Sequence, residues 1–175
     1  MTTTRTLGLL AGVALLAACD STVEVEPLPQ DGGTIQAVPD GATAVTFAEV
    51  TEASTSVSAI QDKERLVITS ATDWEAYWVR FSGSVVPMPP VPNVNFAAER
   101  VVAAAMGSRP TGGYSIDVPS VRGDAQGIYV VVREASPGPS CIVTQAFTAP
   151  AVAVTVPADA RPVLFVEESV VNDCG

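Results

Sequence analysis

From about residue 43 onward the hydrophobic positions fall into short Val- and Ile-rich runs separated by Gly, Pro, Asp or Ser. The runs are 43–51 (TAVTFAEVT), 65–69 (RLVIT), 100–106 (RVVAAAM), 114–121 (YSIDVPSV), 127–134 (GIYVVVRE), 150–156 (PAVAVTV) and 162–168 (PVLFVEE). Each has the length and residue preference of one strand. In the fourth, Tyr114, Ile116 and Val118 alternate with Ser115 and Asp117, the pattern of a strand buried on one face and wet on the other. The spacing predicts a mainly β (α+β) domain over 43–175, an antiparallel sandwich or partly closed sheet with one short amphipathic helix. For that helix, Thr72-Asp73-Trp74-Glu75 reads as a capping box. Trp74, Tyr77, Trp78 and Phe81 then recur at i, i+3, i+4 and i+7, so both tryptophans share the apolar face expected to pack on the sheet, and the helix should end near Gly83. Residues 86–96, VPMPPVPNVNF, must run extended, as a rigid connector or a strip for a partner's groove. Arg122-Gly123-Asp124 is expected to be a hairpin turn between two strands.

The N-terminal pattern is different. Residues 1–19 read MTTTRTLGLLAGVALLAAC, with one base at Arg5, an apolar run from Leu7 to Leu16, and small residues before Cys19. This is the order of a secretory signal, too short to span a bilayer. Leu16-Ala17-Ala18-Cys19 resembles the lipobox of bacterial lipoproteins, which implies that residues 1–18 are cleaved and Cys19 carries lipid. Residues 19–42 then read as an acidic linker rich in Pro and Gly, carrying Asp20, Glu24, Glu26, Asp31 and Asp40 and no base. The expected location is the bacterial cell envelope, periplasmic or surface-exposed, with the N-terminal lipid as the sole membrane attachment. Asp20 beside the lipid cysteine resembles an inner-membrane retention signal.

Charge and composition narrow the chemistry. With 9 Lys+Arg against 19 Asp+Glu, the formal net charge is −10, and the pI of about 4.2 argues against a nucleic-acid partner. The chain has no histidine. That excludes Ser-His-Asp and Cys-His pairs, H-E-x-x-H zinc sites and imidazole ligands. GxSxG and P-loop motifs are absent, and Lys63 is the one lysine, with Ile60 where an S-x-x-K motif would need serine. The expectation is a non-enzyme without cofactor or metal. Cys141 and Cys174, 33 residues apart, form no C-x-x-C motif. An exported compartment favours a disulfide between them, tying the SPGPSC loop to the C-terminus; a reactive thiol or an intermolecular bridge are the alternatives.

The order GSRPTGGYSIDV (107–118), YVVVREASPGPSCIVTQAFTAP (129–150) and VTVPADARPVLF (154–165) resembles the C-terminal domain of the PrcB family, over about residues 54–175. Ala151 stands where that family usually has an aromatic residue. The family takes its name from a lipoprotein subunit of a bacterial surface protease complex. The resemblance implies an accessory module without chemistry of its own that assembles with or stabilises a protease, so a protein partner is expected. An envelope structural lipoprotein is one alternative, and a second resemblance implies another: Arg109-Pro110-Thr111-Gly112-Gly113-Tyr114 is similar to the NPTTGY loop that chagasin-like inhibitors insert into cysteine-protease clefts. The candidate binding loop therefore comprises Arg109, Pro110, Thr111, Gly112, Gly113 and Tyr114 with Pro137, Gly138 and Gln145. Residues 107–114 and 136–141 are expected to form one exposed edge, with Trp74 and Trp78 in the core.

Overall fold

The computed structural model describes residues 32–174. The signal segment, Cys19 and the linker up to residue 31 lie outside the described residues.

Two sheets stack face to face. The first has five strands in the order β1-β9-β7-β6-β2, built from Thr34–Ile35 (β1), Thr43–Ala44 (β2), Ser115–Gly123 (β6), Ile128–Pro137 (β7) and Val163–Asn172 (β9). The second has the order β3-β8-β5-β4, from Ala48–Glu49 (β3), Glu64–Ile68 (β4), Glu99–Ala105 (β5) and Ala151–Pro157 (β8). The six later runs of the sequence pattern each became a strand. The run 43–51 did not. Its ends pair in different sheets, Ala44 with Arg122 and Ala48 with Thr155, so the chain crosses the sandwich at 45–47 and turns Val45 and Phe47 inward. The first sheet is also mixed rather than purely antiparallel. β7 and β9 are parallel over their full length because β8, which lies between them in sequence, belongs to the other sheet.

Between the sheets lie Val102 and Ala104 of β5, Val152, Val154 and Val156 of β8, and Val121, Ile128, Val130, Val132, Val163 and Phe165 opposite them. The other face of β5 and β8 presents Val101, Ala103, Ala105, Ala151 and Ala153 to a single helix, Ala71–Ser82 (α1). Those small side chains leave the depth that Trp74, Tyr77, Trp78 and Phe81 fill. The four rings stack along the helix with centroids 5.2–6.0 Å apart. The N-cap is Ser70, not Thr72: its hydroxyl accepts from the Asp73 N–H and donates to the Asp73 carboxylate. The box is therefore shifted two residues upstream, Asp73 serving in place of Glu75. The helix ends at Gly83, whose N–H donates to the Val79 carbonyl.

The proline-rich segment 86–96 is a strap across this helix. Val91, Val94 and Phe96 pack against the aromatic cluster, and the carbonyls of Pro89 and Pro92 accept the indole N–H bonds of Trp78 and Trp74, each at 2.9 Å. On the far side of the molecule, residues 32–42 cover the outer face of the first sheet. Ile35, Val38 and the buried Ala42 pack on Tyr129, Val131, Leu164 and Val166, and β1 adds to the edge of β9. This corrects the boundary at residue 42: Ile35, Val38 and Ala42 supply apolar surface that the acid- and proline-rich composition obscures, and the folded domain begins by Gly32.

Replacing Trp78 by alanine is expected to destabilise the domain by about 3–5 kcal/mol, through the cavity it leaves over Ala103 and Ala153. Trp78→Phe keeps most of the packing but orphans the Pro89 carbonyl, for a loss of about 1–2 kcal/mol. Urea denaturation followed by circular dichroism separates the two values.

Candidate functional site

The far ends of β5, β7 and β9 carry the loops in which sequence placed the candidate binding residues. After β5 the backbone of Arg109 pairs with Thr148 in both directions, at 2.7 and 3.0 Å. Thr148 Oγ1 also donates to the Thr111 carbonyl at 2.9 Å, and the Gly112 N–H donates to the Thr144 carbonyl at 2.9 Å. Residues 109–112 thus lie along 144–148. A Cβ at Gly112 would stand 2.3 Å from Thr144 Oγ1, and Gly113 takes a φ of +84° against Pro137 and Val143, so the two glycines serve close approach and a left-handed turn. Tyr114 sits beneath the Arg109 guanidinium, 5.9 Å from ring centre to cation.

The second loop joins the same edge. The Gly138 N–H donates to the Asn172 carbonyl at 2.8 Å, and Ser140 Oγ donates to Asp173 at 2.8 Å. The Cys141–Cys174 disulfide fixes that loop to the end of β9, with Cα atoms 4.9 Å apart. Beyond it, Gln145 is exposed and donates to the Val143 carbonyl. All nine candidate loop residues therefore gather at one end of the sandwich. The same end leaves Ile142 and Phe147 out in solvent, at 103% and 77% relative exposure. Between the loops and the ends of β7 and β9 lies a cleft of about 310 Å³ lined by Met106, Arg109, Pro110, Tyr114, Glu134 and Val171.

A charged cluster closes the sandwich below that cleft. Arg65 on β4, with a side chain only 8% exposed, reaches across to the other sheet and binds Glu167 through Nε at 2.7 Å and Glu134 through Nη2 at 2.5 Å. Lys63 joins both carboxylates at 2.9 and 3.0 Å. Burial pushes the Glu167 carboxyl upward, but hydrogen bonds and charge from Arg65 and Lys63 outweigh it and hold its pKa below the ordinary 4.5. The lone lysine thus takes part in an ion-pair network with Glu134 and Glu167. Among the described residues no group of three His, Cys, Asp or Glu is arranged to hold a metal ion.

At the opposite end Arg122 and Gly123 close β6, and the hairpin turn itself is 124–127. Arg122 donates to the Ala42 carbonyl, and Asp124 accepts from the Gln126 and Gly127 N–H groups and from the Tyr129 hydroxyl. Burial and the Asp124 carboxylate together push the Tyr129 hydroxyl up to about 12. The tripeptide is thus the last two residues of β6 and the first of the turn, rather than the whole turn expected from sequence, and it is hydrogen-bonded within the fold.

With the joined loops in view, the comparison with known families is decisive for one stretch. Residues 100–157 match the PrcB C-terminal family. No curated protein and no solved structure matches the chain. The PrcB C-terminal match runs from β5 through β8 and includes both the TGGY turn and the SPGPSC loop, but not α1 or β9. Sequence does not mark the Arg65 cluster, and the strand expected over 162–168 continues to Asn172, its signal lying in Val170 and Val171 beyond the two glutamates.

Thr111→Ala should leave stability within about 0.5 kcal/mol, since the loop is held through the Thr111 carbonyl rather than its hydroxyl. Gly113→Ala should cost about 1–2 kcal/mol for the left-handed backbone; thermal unfolding of both variants gives the comparison. A pH series tests the cluster. Because the folded pKa of Glu167 is depressed, its contribution is complete above pH 4.5 and disappears as pH falls through the folded value. Wild type should therefore lose more stability than Glu167→Gln between pH 5 and pH 2, measured by urea midpoints.

Proposed function

We propose that this chain is an exported lipoprotein, anchored to a membrane through Cys19, whose β-rich domain is a non-catalytic accessory module that assembles with or stabilises a protease. The observation that carries the reading is the joining of the two family-matched loops, TGGY and SPGPSC, into one edge crossed by a disulfide and presenting Ile142 and Phe147. Solvated apolar side chains held on a rigid frame are the anatomy of an interaction surface rather than of a catalytic centre. The direction of the chain supports the anchor. Gly32 enters beside Val163, at the start of β9, whereas the disulfide lies past its other end, about 30 Å away for a strand of that length. A lipid upstream of Gly32 would hold the loop edge away from the bilayer.

The inhibitor alternative asks for a loop free to enter a cleft. Thr111 and Gly112 are instead hydrogen-bonded along one side to Thr148 and Thr144, which favours the accessory reading.

Crosslinked pull-down from native envelopes should recover a protease whose abundance falls when this protein is deleted. Cys19→Ala should accumulate the unprocessed precursor and release no mature form to the membrane fraction. Normal membrane anchoring of that variant would overturn the lipoprotein reading. Inhibition of a papain-like protease, abolished by changing Thr111 and Gly112, would replace the accessory role with the inhibitor role.

A further inference from the structure

The outer edge of β9 is only partly covered. β1 pairs with Phe165 and Val166, with the Phe165 N–H donating to the Gly33 carbonyl. Past Val166, β1 ends and β9 runs on to Asn172 with no strand on that side among the described residues. In a parallel strand, alternate residues direct both backbone groups to the same edge. Phe165 faces β1 and Asn172 accepts from Gly138 on the β7 side, so Glu167, Ser169 and Val171 direct their N–H and C=O groups outward. No register shift interrupts the pairing of β7 with β9, so the edge carries no bulge. Its sequence is Glu-Glu-Ser-Val-Val, exposed from Glu168 onward, with Val171 at 67% relative exposure. Folded proteins block such edges with charged side chains, proline or a bulge; this strip has no lysine, proline or bulge, and its charges are carboxylates.

Resting on the reading that the domain binds a protein partner, we propose that residues 167–172 of β9 receive an extended, basic segment of that partner as an added strand. Charge selects the occupant. Within a chain of net charge −10 the strip carries Glu168 and Asp173, and the facing cations Lys63, Arg65 and Arg133 are already held by carboxylates, Glu167 among them. A second copy would bring two acidic strips together, where like charges across strands are destabilising. The chain's own residues 20–31 carry Asp20, Glu24, Glu26 and Asp31 and no base, so they are repelled for the same reason. A segment alternating apolar and basic side chains meets the requirements: main-chain bonds to Glu167, Ser169 and Val171, apolar contact with Val171 on one face, and charge opposite Glu168 on the other.

The test uses the mature domain and a seven-residue peptide alternating valine and lysine, with a valine–glutamate peptide as control. Amide hydrogen exchange at Glu167, Ser169 and Val171 should slow about tenfold with the basic peptide and be unchanged with the acidic one. Ser169→Pro removes an outward N–H at an edge position and should abolish the protection; Glu168→Lys, an exposed change with no backbone consequence, should weaken it even if the proline variant fails to fold. Unchanged exchange, protection confined to 142–147, or edge-dependent dimerisation in sedimentation would each overturn the proposal. In pull-downs, capture of a protease equally by wild type and Glu168→Lys defeats the edge while leaving the accessory role intact. Capture by neither, with the peptide still protecting the edge, defeats the accessory role alone.

Discussion

Burying both faces of β5 and β8 at once sets the terms for the rest of the molecule. A strand alternates its side chains between faces, so VVAAA and AVAV must serve two environments with one run. Valines fill most of the gap between the sheets, where opposing β-branched side chains interdigitate. Alanines dominate the other face because four stacked aromatic rings of α1 have to fit there. Large residues on one partner require small ones on the other at fixed packing density. The helix in turn exposes two indole N–H groups at its outer side. The proline strap supplies carbonyls without needing partners for N–H groups of its own at Pro89 and Pro92.

Much of this was legible in the sequence, for identifiable reasons. The double burial of β5 and β8 is written as continuous apolar runs, and the helix as a 3.6-residue aromatic stripe. Where the reading slipped, pairing partners rather than local preference decided the outcome. Nothing in TAVTFAEVT says that its two ends belong to different sheets; that follows from Ala44 meeting β6 and Ala48 meeting β8. Ser70 outcompeted Thr72 for the cap because the chain leaves β4 in an extended conformation that places the serine hydroxyl at the Asp73 N–H. The covering segment 32–42 was hidden by its composition. A few apolar residues among acids and prolines suffice when a sheet already presents the surface to be covered.

The candidate site was legible as a list and not as a frame. Its glycines and prolines marked the loops, and the cysteine pair marked a tie to the C-terminus, but the hydrogen bonds from 144–148 to 109–112 join residues that no periodicity connects. The Arg65 cluster was invisible for the same reason. Lys63 and Arg65 lie on β4, Glu134 on β7 and Glu167 on β9, and only the stacking of the sheets brings them within 3.0 Å.

That cluster also explains why the edge of β9 can stay open without the strand fraying. A strand paired on one side is ordinarily weak at its end, since half its backbone bonds go to water. Here Glu167 is held from the opposite sheet by a nearly buried guanidinium, and the far end is fixed by the disulfide at Cys174, so the exposed stretch is pinned at both limits. β7 supplies continuous parallel pairing between them. An edge held in place in advance costs an incoming strand less ordering than a flexible one, because only the partner loses conformational freedom. The outward backbone groups of Glu167, Ser169 and Val171 are thus preorganised by interactions that all lie on the inner side of the strand.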